Sequence, residues 1–547
     1  MTRSSAPARR ARVEVPLVVL AASLLTALFT YPIAFRLGRV GRIDNGDGQL
    51  SIWNVAWVAR TLAVDPRHVF DANIFYPNKG TLAYSESNLG AGVLAMPVYW
   101  ATRNPYAAHN AVVLVALASA FVGMYLLVRH LTGDWMAAAL SAIWFAFCPM
   151  IFTRLAHIQL LMTAGLPFAM LAIHRVADRP TPRRGALLGA AMAAQALCCG
   201  YYGIFAILMV GFAIVVFAVT RRLWTSAPYW IAVGIAAGLA ILLVTPAFLP
   251  YVRFQQTSGF HRTVGEAVRY SANWSSYLAS PASAHAWLLG YLPRWSDVLF
   301  PGVLATVFGL AGLAVSRHEQ KGELTLLYGG MLAFALWLSF GPAAGLYTVF
   351  YRLLPLFAWL RVPSRFGLVV VLALSVLGGI AASAWLRRST RPQLACVALA
   401  VLACAELLTP LKIPAVPPVA PVYAMLGTLP PGPVIEMPFW YLDPMFPRHS
   451  YYMLQSTAHW MPLVNGYSDY IPDDFRANVM RYAIFPAPET LKFMAPTRVR
   501  YAVFHRDGFN AANWRDVEMR IDQAKPYLRQ LYADERTRLY EIVAFPP

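Results

Sequence analysis

"VPLVVLAASLLTALFTYPIAF" occupies residues 15–35 and holds no charged side chain. About 20 consecutive apolar residues are what a helix needs to cross a hydrocarbon core roughly 30 Å thick. Runs of similar length recur as far as residue 409. The whole chain of 547 residues is 58% hydrophobic and only 13% charged, with a mean hydropathy of +0.50. Soluble domains carry about a quarter charged residues, so the deficit marks a polytopic membrane protein. The preceding "MTRSSAPARRAR" looks like the start of a signal peptide. The apolar run after it is too long for a signal core and lacks a small-residue cleavage site, so it reads as an uncleaved first span.

Hydropathy places about eleven spans, at 15–35, 108–128, 135–152, 158–174, 185–203, 204–220, 229–251, 300–316, 323–341, 366–386 and 393–409. The segment 88–101 is too short to cross and reads as interfacial or re-entrant. With the N-terminus inside, every inner loop carries a basic residue: Arg3, Arg9, Arg10 and Arg12, then Arg129, Arg175, Arg179, Arg183 and Arg184, Arg221 and Arg222, Arg317 and Lys321, and Arg387, Arg388 and Arg391. The outer turns carry few. That asymmetry is the positive-inside pattern, and it accounts for the formal charge of +19 without nucleic acid as a partner.

Three long loops then face outward, at 36–107, 252–299 and 342–365. They are rich in Trp, Tyr and Phe, and read as short amphipathic helices along the interface. Trp53 and Trp57, with Tyr270, Trp274 and Tyr277, fit an interfacial aromatic belt, or a surface for sugar rings or a lipid groove. After "TPLKIPAVPPVAPV" (409–422) the character changes. "GPVIEMPF", "VRYAVFHRD" and "TRLYEIVAF" read as strands, and "NWRDVEMRIDQAKPYLRQLY" (513–532) as one amphipathic helix. The expected fold is therefore an all-α polytopic membrane domain over 1–409 with a small extracytoplasmic α/β domain over 410–547. Within the latter, the stretch 437–470 reads as a loop-rich surface offering His449, His459, Asn465 and Asp469 as contacts.

The five cysteines lie in apolar segments with no CxxC spacing, which argues against disulfides and against zinc. No P-loop, HExxH, GxSxG or CxxCH pattern is present, so ATP-driven transport, zinc proteolysis, serine hydrolysis and covalent haem lose their sequence support. What remains is "GRIDNGDGQLSIWNVAW" (41–57), with Asp44 and Asp47 three residues apart in a Gly/Asn-rich stretch beside the first span. It can be a solvated turn, since Asn and Gly are turn formers. It can equally be a pair of carboxylates at an enzyme centre, and D-N-G-D spacing suits joint binding of a divalent cation such as Mg or Mn.

The N-in first span, the large outer loop opening on "GDGQLSIWNVAWVARTL" (46–62), then "NIFYPNKGTLAYSESNLGAGVLAMP" (73–97), "TRLAHIQLLM" (153–162) and "LRVPSRF" (360–366) together resemble a bacterial branch of the GT-C superfamily. Those are membrane glycosyltransferases that use sugars carried on polyprenyl phosphates. The resemblance implies an inverting hexosyl- or pentosyltransferase of the bacterial inner membrane, passing a sugar to a lipid, glycan or protein acceptor on the outer face. It implies a base, or a metal-binding carboxylate, at the start of the first outer loop: Asp47 first, Asp44 second. A departing phosphate needs cations, and the guanidinium fork suits phosphate. Arg361 and Arg365 are the first candidates, then Arg154 with His157 and Gln159, and Arg262 and Arg269 after them; snorkelling to lipid headgroups explains any one of these arginines equally well. Glu86, in "YSES", is a candidate second carboxylate or sugar-hydroxyl contact. The competing expectation is a non-enzymatic membrane protein, either a lipid-linked glycan transporter or an envelope-assembly accessory. Transporters place ionisable groups at the midplane of spans, whereas here the polar residues gather at one outer face.

Overall fold

The computed structural model describes residues 6–260, 262–318 and 322–547, without the side chains of 6–12 and 316–318. Of the basic residues expected inside, Arg3 and Lys321 lie outside the described residues, as do the side chains of Arg9, Arg10, Arg12 and Arg317. The fold divides into two compact units. The first comprises the described residues up to Arg36 together with Ala111–Lys412, and the second Leu37–Asn110 with Ile413–Pro547.

The first unit is helical. All eleven expected segments lie on helices, and six helices are long and apolar enough to cross a membrane: Pro105–Thr132, Trp135–Phe152, Gly200–Thr220, Ala227–Ser258, Gly322–Ser339 and Pro363–Arg388. Shorter apolar helices cover Val13–Phe29, the apolar part of α1 (Ala6–Phe29), and Val303–Val315 and Pro392–Leu407. The segment expected as one span at 158–174 is broken into Ile158–Leu161 and Gly165–Asp178. The break is satisfied rather than frayed, because Gln195 Nε2 donates to the Met162 carbonyl at 2.9 Å. The helix Gly367–Arg388 forms the centre, buried except at Trp385 and its two terminal arginines. Trp135–Ala146, Val303–His318 and Gly330–Ser339 pack against it. A Cβ at Gly312 would overlap the Leu377 carbonyl, so glycine here lets two backbones approach as membrane helices do. On Ala227–Ser258, Ile241 and Leu242 are 65% and 69% exposed, the state expected of side chains that lipid tails cover. Ion pairs tie several of the loops and helix ends expected to be cytoplasmic: Arg129 to Glu14 at 2.7 Å, and Arg221 to Asp178 and Glu323 at 2.9 and 2.7 Å.

The second unit is built on four strands: β1 (Val434–Met437), β2 (Tyr501–His505), β3 (Leu528–Ala533) and β4 (Thr537–Ile542), in the order β1-β2-β4-β3. β1 and β2 are parallel, and the other two pairings antiparallel. The expected long helix over 513–532 stops at Gln523, and its end from Leu528 on is β3. Pro526 cannot continue a helix, and "LRQLYA" then pairs with β4 as a strand. The first outer loop is no chain of short surface helices. It contains α2 (Gly46–Val64) and α3 (Leu89–Thr102), and its extended piece bonds into the sheet region: Phe75 and Tyr76 N–H donate to the Asn465 and Leu463 carbonyls, and Leu463 N–H to Asn73. Trp53 and Trp57 are core residues, 1% and 7% exposed, not belt residues. Their indole N–H groups donate to Asn73 Oδ1 at 3.1 Å and the Val69 carbonyl at 2.8 Å, which removes the usual cost of burying a polar group.

His449 and Asn465 are buried, correcting the expectation of a contact surface there. Asn465 grips the backbone of β1, accepting from Glu436 N–H at 2.8 Å and donating to its carbonyl at 3.0 Å. His449 Nε2 donates to the Trp440 carbonyl at 2.9 Å, and Nδ1 accepts from Asn465 Nδ2 at 3.2 Å. Both ring nitrogens are thus used by the neutral form, and burial pushes the His449 pKa down from 6.5 to about 4. An unfolded chain takes up this proton near pH 6.5; the folded one does not until about pH 4. Stability present above pH 6.5 should therefore fall through that window by about 3 kcal/mol, at ~1.4 kcal/mol per pH unit. Hydrogen-exchange protection of Val434–Met437 measures it, and a His449→Gln protein should lose the share that His449 supplies, leaving that of His459, whose burial likewise pushes its pKa down to about 4. Equal protection at pH 7 and pH 4 in the parent protein would contradict this account.

Candidate functional site

Asp47 does not sit in a free turn. Asn45 caps α2, its side chain accepting from Gly48 N–H at 2.8 Å, and Asp47 falls in the first helical turn, where unpaired N–H groups and the helix dipole favour negative charge. The glycines on either side have a steric purpose. A Cβ at Gly48 would overlap the Arg42 carbonyl, so only glycine lets the strand-like approach 40–43 fold back over the helix start. Gln49 anchors the same turn from two directions: its Nε2 donates to the Ile43 carbonyl at 2.8 Å, and its Oε1 accepts from Ser450 Oγ at 2.7 Å. Tyr467 then donates its hydroxyl proton to Asp47 Oδ1 at 3.1 Å. A half-buried carboxylate is thereby bonded by a hydroxyl 420 residues away in the chain.

Asp44 lies outside the helix, more exposed, and pairs with Arg42 at 3.2 Å. The two acids therefore have different partners, and among the described residues no group of three or more His, Cys, Asp or Glu could hold a metal ion. Hard cations take six or more oxygen ligands, so these two carboxylates would leave most of the shell to others. Asp44, Asn45, Gly46 and Gln49 border a cleft of about 750 Å³ within the second unit. Glu86 is in that unit as well, half-buried after the turn Thr81–Tyr84, with its carbonyl accepting from Asn54 Nδ2 at 3.1 Å.

The basic candidates belong to the first unit. Arg154 follows the short helix Pro149–Phe152 and is ion-paired with Asp297. Asp297 Oδ2 also accepts from Ser364 Oγ at 2.7 Å, so one carboxylate ties "TRLAHIQ" to "LRVPSRF". Arg365 lies over the Tyr201 ring, 4.6 Å from its centre, and the Tyr201 hydroxyl both donates to and accepts from the Val362 backbone at 2.8 Å. Arg361 lies over Tyr270 at 5.3 Å. Arg154, Arg361 and Arg365 are thus brought into one connected cluster, in which Arg154 and Arg365 each keep a buried Nε–H with no partner. His157 and Gln159, both half-buried, continue the chain just after Arg154. Asp297 and Tyr201 were not foreseen. Asp297 had one signal, as a lone acid directly before the apolar "VLF" at the end of the second long loop.

Residues 100–440, more than half of the chain, match the family described as alpha-(1->3)-arabinofuranosyltransferase, N-terminal GT-C domain. Among solved structures, the chain is similar to arabinofuranosyltransferase AftD from mycobacteria, with a TM-score of 0.57 at 15% identity over 97% of this chain. It spans about 40% of the AftD chain. It is similar also to ArnT from Cupriavidus metallidurans in the apo state, with a TM-score of 0.50 at 13% identity over 98% of this chain and 100% of that one. No curated protein matches the sequence. The chain belongs to the arabinofuranosyltransferase GT-C domain family, and so to the GT-C superfamily of membrane glycosyltransferases.

Proposed function

We propose that this member of the arabinofuranosyltransferase GT-C family transfers a sugar from a polyprenyl-phosphate carrier to a lipid, glycan or protein acceptor. The reaction takes place at the outer face of the bacterial plasma membrane. Residues 1–409 carry the membrane part, with the N-terminus cytoplasmic, and 410–547 lie outside the membrane. The family name favours a pentofuranosyl over a hexosyl donor. Asp47 takes the proton of the acceptor hydroxyl as that oxygen attacks the anomeric carbon; the bond from the anomeric carbon to phosphate oxygen breaks, and polyprenyl phosphate leaves with inversion. Arg361 and Arg365, supported by Arg154, supply positive charge for the leaving phosphate. His157, Gln159 and Glu86 serve in this reading as further sugar contacts. The step as written balances without a metal ion.

The observation that carries this reading is the fixing of Asp47: the Tyr467 hydroxyl bonds its carboxylate, while the Asn45 cap and the Gln49 anchor fix the helix start that bears it. A solvated turn would need none of them. The test is comparative mass spectrometry of envelope lipids and glycans from the native host, with and without the gene. Loss of one sugar substituent from a glycan or lipid is the expected result. An unchanged envelope profile in the deletion strain would end the reading.

A further inference from the structure

The cleft beside the start of α2 has its own chemistry. Its volume of about 750 Å³ falls within the roughly 300–1,000 Å³ of small-molecule sites. Trp440 and Tyr451 supply aromatic surface in its walls, Arg448 lying over the Trp440 ring at 4.6 Å and Tyr451 remaining 39% exposed. Between them stand hydrogen-bonding groups of both kinds: the Gln455 amide, the Asp507 carboxylate and the Arg536 guanidinium. Acids and arginines are interspersed, so the lining forms no single-sign field to attract a polyanion or a polycation.

The floor of the cleft is more telling. His505, at the end of β2, lines it while only 7% exposed. Its Nε2 lies 2.7 Å from Glu436 Oε2 and 3.1 Å from the Tyr423 hydroxyl. Glu436 is wholly buried in β1 between Ile435 and Met437, and its Oε1 has no hydrogen-bond partner. A buried carboxylate with one oxygen unsatisfied costs several kcal/mol that apolar packing would not. Nothing in the sheet calls for an acid at this position. What Glu436 does, with the Tyr423 hydroxyl, is engage Nε2 from within the sheet, so that the His505 ring is held in place where it lines the cleft.

We propose that this cleft is a saccharide-binding site for a neutral oligosaccharide, the acceptor that the transferase extends, with the held His505 ring as a polar contact at its floor. Vicinal hydroxyls both donate and accept, matching the amide, carboxylate and guanidinium groups, and the C–H face of a sugar ring matches the aromatic walls. The word acceptor rests on the transferase reading above; the binding does not.

The test uses the full chain in lipid nanodiscs. Its probes are neutral pentose and hexose hexasaccharides, with hexagalacturonate as the anionic comparison, read by saturation-transfer NMR and by titration. At least one neutral probe should bind, and Tyr451→Ala and Asp507→Ala, both at exposed positions, should each weaken it by about tenfold, roughly 1.4 kcal/mol. No neutral binding, binding of hexagalacturonate alone, or binding undiminished in both cleft variants would overturn the inference. Continued sugar transfer by Asp47→Asn, together with binding lost in Tyr451→Ala, would end the catalytic role of Asp47 and still support the cleft.

Discussion

Replacing Asp47 by Asn should lower sugar transfer by about 10²–10⁴-fold, the usual contribution of a positioned general base, and leave the protein folded. The substitution separates chemistry from structure well. Asn keeps an oxygen able to accept from Tyr467, which now bonds Oδ1 at 3.1 Å, and it fits the same space in the first turn of α2. What is lost structurally is a negative charge at a helix start, worth about 0.3–1 kcal/mol. Asp44→Asn is the matched control, since it breaks the partly exposed pair with Arg42 at the cleft's border, worth about 0–1 kcal/mol. The measurement is the envelope product by mass spectrometry in the deletion strain carrying each variant at equal abundance. Product absent with Asp47→Asn and present with Asp44→Asn is the expected pattern. The reverse pattern would move the base to Asp44, and product with both would remove the pair from the chemistry.

The parts of this fold that were legible in the sequence are those that local pattern encodes. Apolar length located the helical stretches of the first unit, although 158–174 is two helices and not one, and short apolar runs located β1, β2 and β4. Gly and Asn in "DNGDGQ" were read as turn formers, and the local pattern stops there: Asn45 is a cap and Gly48 a point of backbone contact with Arg42. The largest surprise was non-local. The first outer loop folds with the C-terminal region through Asn73, which bonds Ser456 and the Met461 carbonyl at 3.1 and 3.0 Å, a partnership across more than 380 residues that no periodicity can announce. It converts Trp53 and Trp57 from apparent belt residues into core. β3 was hidden for the opposite reason, because "YLRQLY" carries enough apolar residues at helical spacing to extend the preceding helix until Pro526 is given its full weight. Asp297 was hidden because an acid in a long loop has no pattern; only its partners, Arg154 and Ser364, give it meaning.

Removing that acid should have the largest effect on stability. Asp297→Ala leaves Arg154, whose side chain is only 19% exposed, with an uncompensated charge, and leaves Ser364 without its acceptor. Breaking one partner of a buried pair typically costs about 3–5 kcal/mol, to be read as a lowered unfolding midpoint of the full chain in nanodiscs. Asp297→Asn should cost less, because an amide oxygen still accepts from Ser364. The informative variant is the double substitution Arg154→Met with Asp297→Leu. Both charges are then gone, and apolar replacement of a buried pair is often neutral or stabilising, so much of the loss in Asp297→Ala should be recovered. If the cluster serves only packing, the double variant would regain sugar transfer along with stability. If Arg154 helps to hold the donor phosphate, the double variant would be stable and still impaired, with Arg365 left to act from its place over Tyr201. An Asp297→Ala protein within about 0.5 kcal/mol of the parent, the range of ordinary surface changes, would mean that the pair holds nothing in place.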